Sequence, residues 1–226
     1  MSGWSRAGAG AGVAGAVVYL VGAFIGGAPL KPDDSIDKVV AHLHAHRSGL
    51  LAGMALTLVG LALFLWFLGY LRAMLSGVEG EGAPLATVTV GSWISLFVLI
   101  GAAGVPLNVV VWRGADQIDP TLVRLAFDAQ NLSLYAVTAT VALVSVLAPC
   151  VVIWRTGIVP RWLVALGAIV IAVSLVEIAG LPSRTGWNAA GYAFGLGPIV
   201  WVIWVAALSI TMMLRAPAPE PHLGSS

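Results

Sequence analysis

Apolar residues occupy this chain in long runs broken by short polar segments. The runs cover roughly residues 8–28, 48–75, 84–112, 121–154, 161–180 and 190–214. A helix needs about 20 apolar residues to cross a hydrocarbon core about 30 Å thick. Backbone N–H and C=O groups find no water there, so each run is predicted to be a helix that bonds its own backbone. The fold class read from this pattern is all-α: one polytopic transmembrane bundle of about six spans over residues 1–215. The tail at 216–226, with its Ala-Pro repeats, is predicted to be disordered.

Details of the pattern refine the spans. The first run follows Arg6 and ends near Gly26-Gly27-Ala28, features shared with a cleaved leader. It is long for a leader's apolar stretch, and Pro29 follows at once, so it is read as a retained span. The fourth run exceeds one crossing, so its first turns are expected to project from the bilayer or line a cavity. Pro149 is a candidate kink within it. Between the first two spans, residues 29–47 are largely polar. Ser35 can cap a short helix in which Ile36, Val39, Val40 and Leu43 share a face. That segment is predicted as an amphipathic helix at the interface.

Composition agrees with the pattern. Only 9% of the residues are charged and 59% are hydrophobic, whereas soluble domains carry about 25% charged residues. The chain therefore suits lipid as a partner and not water. A net charge of +1 gives no basic field for nucleic acid. The single cysteine, Cys150, sits in an apolar run and reads as a small buried hydrophobe. An even number of spans puts both termini on one side. Arg6, Arg72, Arg155, Arg161 and Arg215 fall on that side, against Lys31, Lys38, Arg47, Arg113, Arg124 and Arg184 on the other. The purely basic turn from Arg155 to Arg161 favours cytoplasmic termini. Trp66, Trp154 and Trp162 fit an aromatic belt on the inner side, and Trp112 and Trp187 one on the outer side. Gly22/Gly26, Gly49/Gly53 and Gly191/Gly195 have a spacing that lets helices approach closely, read as packing within the chain.

Ionisable groups inside a span are costly and draw a functional hypothesis. Asp128 in the fourth run and Glu177 in the fifth are expected in the same, outer half of the membrane. Arg124, Asp128, Asn131, Tyr135 and Thr138 share one helix face by spacing, as do Gly167, Val170, Ser174 and Glu177. The first stripe is expected to face the bundle interior or a water-filled cavity. The pocket wall read from these positions is Arg47, Asn108, Asp128, Asn131, Tyr135, Glu177 and Tyr192. Arg47 and Arg124 are the candidate ion-pair partners of Asp128 and Glu177. The alternative is that these groups pair only to fix helix register.

The histidines are a second signal. His42 and His46, four apart, would share a helix face and could bind zinc or copper given further ligands. No HExxH or CxxC supplies those ligands. Haem would need histidines within the core spans, which have none. Imidazoles among head groups, titrating near neutral pH, are the other reading. Phosphate-loop and GxSxG templates are absent, and no cofactor is assigned.

Two stretches, AHLHAHRSGLLAGM at 41–54 and WRTGIVPRWLVALG at 154–167, resemble a family of small multi-span integral membrane proteins common in actinobacteria. The likeness extends over most of residues 10–215. It implies a bundle in the bacterial plasma membrane with inner termini, and it brings no assigned activity and no catalytic residue. Three function classes stay open. One is a transport or sensing protein binding a small or lipid-like ligand in an outer-facing polar pocket. Another is an intramembrane enzyme using Asp128 and Glu177 as acid and base. The third is an accessory subunit of a membrane complex. The oligomeric state is not set by the sequence.

Overall fold

The structure is a computed structural model that describes residues 3–27, 30–133, 138–179 and 196–215. Among them lie eight α-helices and no strand. They are α1 (Gly3–Phe24), α2 (Ile36–Ala45), α3 (Arg47–Glu79), α4 (Pro84–Arg113), α5 (Pro120–Leu132), α6 (Thr138–Thr156), α7 (Trp162–Ala179) and α8 (Leu196–Arg215). A 3₁₀ turn at Ala115–Gln117 links α4 to α5. Six of the helices, α1, α3, α4, α6, α7 and α8, are long and apolar enough to cross a membrane. The chain is thus an all-α, multi-pass bundle.

Neighbouring spans run antiparallel. The α1–α3 contact is built on the predicted glycine spacing. A β-carbon on Gly22 would stand 2.8 Å from the Gly53 carbonyl oxygen, and one on Gly49 would stand 2.8 Å from that of Ile25. Only glycine allows the backbones so near. Gly191 and Gly195 lie outside the described residues. The first and last spans meet through Ser209, whose hydroxyl donates to the Ala9 carbonyl and accepts from Val13 N–H at 3.1 Å. This contact puts the start of α1 and the end of α8 at one face, here the terminal face. There Trp154 and Trp162 are exposed, with Arg161 over the Trp154 ring at 5.5 Å. Trp112 is exposed at the opposite end. Trp187 lies outside the described residues.

That opposite end carries a roof. Val39 and Leu43 of α2 pack with Val123, Ala126 and Phe127 of α5 and with Leu107, Val110 and Val111 of α4. Ser35 caps α2 by accepting from Lys38 N–H, as the spacing predicted. Its apolar face is buried against protein. The fourth run divides between two roles: Pro120–Leu132 forms the roof helix α5, and Thr138–Thr156 is the part long and apolar enough to cross a membrane. The reason lies in α5 itself. It buries Val123, Ala126 and Phe127 on one side, exposes Leu122, Leu125 and Leu132 on others, and carries charge between them, which suits an interface and not a crossing.

The main core is aromatic and lies below the roof. Phe64, Phe67, Trp93, Phe97 and Trp201 pack together. Their indoles are hydrogen-bonded, as buried N–H groups must be. Trp93 Nε1 donates to the Ser145 carbonyl at 3.0 Å, and Trp201 Nε1 donates to Ser145 Oγ at 3.1 Å.

Candidate functional site

The α7 face predicted from spacing is a buried face: Leu163, Gly167, Val170, Ser174 and Glu177 all turn inward. Glu177 is only 6% exposed. Gly197, in α8, gives it a backbone hydrogen bond. A β-carbon on Gly197 would collide with both carboxyl oxygens, so glycine is what lets the backbone donor approach. Among the described residues, Oε1 of Glu177 has no hydrogen-bond partner. A buried polar atom without a partner is rare enough to require an explanation.

Glu177 opens onto a cavity to which every span contributes, through Tyr19, Leu61, Ile100, Thr138, Ser174 and Trp201. Its free volume is about 40 Å³. One water needs roughly 10–15 Å³ on this measure, so the space suits about three waters or an ion. Drug-sized ligands occupy about 300–1,000 Å³, so a lipid-sized guest does not fit this shape. Trp201 rests on the Trp93 ring at 5.0 Å and edge-on to Phe64 at 5.4 Å. These rings form an aromatic floor between the cavity and the terminal face.

The other predicted wall residues lie elsewhere. Asp128 is not brought to Glu177: its carboxylate is 51% exposed and pairs with Arg124 Nε at 2.9 Å. The same guanidinium donates to the carbonyls of Asp34 at 2.9 Å and Pro32 at 2.6 Å, tying α5 to the loop before α2. Asn131 is half-buried and donates back to the Phe127 carbonyl at 2.9 Å. For Arg124, Asp128 and Asn131 the expectation that this stripe faces the bundle interior is therefore corrected. The apolar Val123–Phe127 side won the inward position, leaving the polar side at the roof surface. Of the predicted stripe, Thr138 lines the cavity. Arg47 donates to the carbonyls of Val111 at 3.0 Å and Trp112 at 2.5 Å. It thereby satisfies orphan acceptors at the end of α4. Asn108 is half-buried, its amide folded near Gly104. Tyr135 and Tyr192 lie outside the described residues.

His42 and His46 do share a face. Their rings stack at 4.3 Å, and burial, followed by the neighbouring His46 charge, holds His42 below its ordinary pKa. Among the described residues no group of three or more His, Cys, Asp or Glu is placed to hold a metal, so none of those residues gives this pair a third ligand. His44 pairs with Asp116 at 3.1 Å, and that hydrogen bond keeps the Asp116 carboxyl below its usual range. Sequence reading missed Tyr19, Gly197 and Trp201. A glycine-proline step at 197–198 beside an apolar run was the only local hint, since a glycine inside such a run often marks a close approach. Compared with family models, curated proteins and solved structures, the chain matches none.

Proposed function

We propose that this chain is a binding protein of the bacterial plasma membrane, in the transport or sensing class, with cytoplasmic termini and its site at Glu177. The ligand is small and polar and enters from the roof side. One observation carries this reading: a nearly fully buried carboxyl presents an oxygen without a partner among the described residues to a mostly apolar cavity that Tyr19, Thr138 and Ser174 also line. Desolvating a carboxyl without compensation costs several kcal/mol, and such groups inside membranes mark binding and relay sites. A role in helix register alone is less well supported, because a register device would use both oxygens. Acid–base catalysis by two carboxyls has no support from the placement of Asp128.

The reading is tested by thermal unfolding of the purified protein in mild detergent. Wild type and Glu177→Gln are compared across small inorganic cations, small amines and neutral polyols. A bound ligand raises the midpoint by mass action. At least one solute is expected to stabilise wild type and not the variant. If every solute shifts both proteins equally, the site does not bind.

A further inference from the structure

We infer that the species held at Glu177 is one positive charge of water size, a proton or a bare monovalent cation such as sodium, exchanged with the roof side. This rests on the binding reading above and adds the ligand's charge and size.

The groups around the carboxyl set the charge. From α1 comes Tyr19, from α6 Thr138, from α7 Ser174, and from α8 Trp201; α3 and α4 present only leucine and isoleucine. No lysine, arginine or histidine lines the cavity among the described residues. Tyr19 is the other titratable side chain among the described lining residues, and a phenol carries no positive charge in either of its states. Among the described residues the carboxyl receives the Gly197 amide, and one amide cannot offset desolvation of a full negative charge. Among the described residues nothing balances a carboxylate here, and one added positive charge on the Oε1 side would do so. An anion would double the mismatch. A divalent ion would overshoot it, and calcium asks for 6–8 oxygen ligands at about 2.3–2.6 Å.

The space sets the size. About 40 Å³ takes a proton with two or three waters, or an ion of sodium size with a partial water shell. An organic cation of any length does not fit. The hydroxyls of Tyr19, Thr138 and Ser174 can both donate and accept, so they can serve a protonated carboxyl or complete an ion's oxygen shell. The ring stack under Trp201 closes the other side, so exchange is with the roof.

Infrared difference spectroscopy on wild type and Glu177→Gln in lipid vesicles tests this. The readout is the carbonyl band of a protonated carboxylic acid, followed against pH with sodium or choline as the only salt. A band present in wild type and missing from E177Q is expected to vanish on raising the pH. If the proton is the resident charge, sodium leaves its midpoint unmoved. If sodium competes, the sodium concentration that halves the band falls about tenfold per pH unit, as one-for-one exchange requires. A band insensitive to both, or no band that E177Q removes, overturns the inference. Should E177Q not fold, the wild-type band is assigned by carbon-13 glutamate labelling. Ser174→Ala is then expected to move its midpoint, and no movement overturns the inference. A neutral solute stabilising wild type over E177Q, with a band indifferent to pH and sodium, would leave the binding reading standing and remove the cation.

Discussion

At the scale of the residue, the decisive contact is between Glu177 and Gly197. A methyl group at 197 occupies the carboxyl's place, so Gly197→Ala is expected to destabilise the protein by about 1–3 kcal/mol, the usual cost of overpacking. Shortening the partner removes the collision. Glu177→Ala combined with Gly197→Ala is then expected to cost less than the two single changes added together. Thermal or denaturant unfolding of the four proteins measures the coupling, and additive costs would contradict the contact. Half of this pair was legible in the sequence. The spacing from Gly167 to Glu177 announced an inward face, since helical periodicity is local. Gly197 was not legible as its partner, because nothing within one helix says which glycine of another will stand beside a carboxyl.

At the scale of the element, α5 shows where periodicity misleads. Arg124, Asp128 and Asn131 do share a face, as spacing requires, but a shared face does not say which way it turns. The apolar side, with Val123 and Phe127 at zero and 4% exposure, took the interior. The roof is then held by Arg124 on the carbonyls of Pro32 and Asp34. Arg124→Ala is expected to speed hydrogen exchange at the amides of residues 31–45, while Asp128→Asn, which removes one exposed ion pair worth about 0–1 kcal/mol, is expected to leave them nearly unchanged. Equal effects would mean that the salt bridge, and not the carbonyl clamp, holds the roof. Acid is expected to loosen α2 as well. Burial and the His46 charge depress His42, so below the ordinary histidine pKa of about 6.5 the unfolded segment binds a proton more readily than the folded one. Stability of α2 is therefore full at higher pH and falls as the pH drops through that window. Exchange at α2 amides is expected to rise between pH 7.5 and 5.5 in wild type and to rise less in His42→Gln. The same rise in both would assign the effect to other groups, such as the exposed His44–Asp116 pair.

At the scale of the whole molecule, the six crossings were readable from run length and hydropathy alone, because lipid leaves a backbone few options. The division of the interior was not. The chain builds an aromatic core, a separately packed roof and, between them, a small cavity fed by all six spans. That arrangement depends on which residues of distant helices meet, and single-helix patterns carry no such information. The central claim is that water reaches the cavity beside Glu177 and stops at the Trp201 floor. Hydroxyl radicals generated from water by X-ray pulses, with oxidation read residue by residue by mass spectrometry, test this directly. Trp201 lines the cavity, whereas Trp204, one turn along the same helix, and Trp93 beneath it are wholly buried. The account predicts that Trp201 is oxidised several times faster than Trp204 and Trp93 in the intact protein. Trp201 protected as fully as those two would mean the cavity is dry, and the site proposed at Glu177 would fall with it.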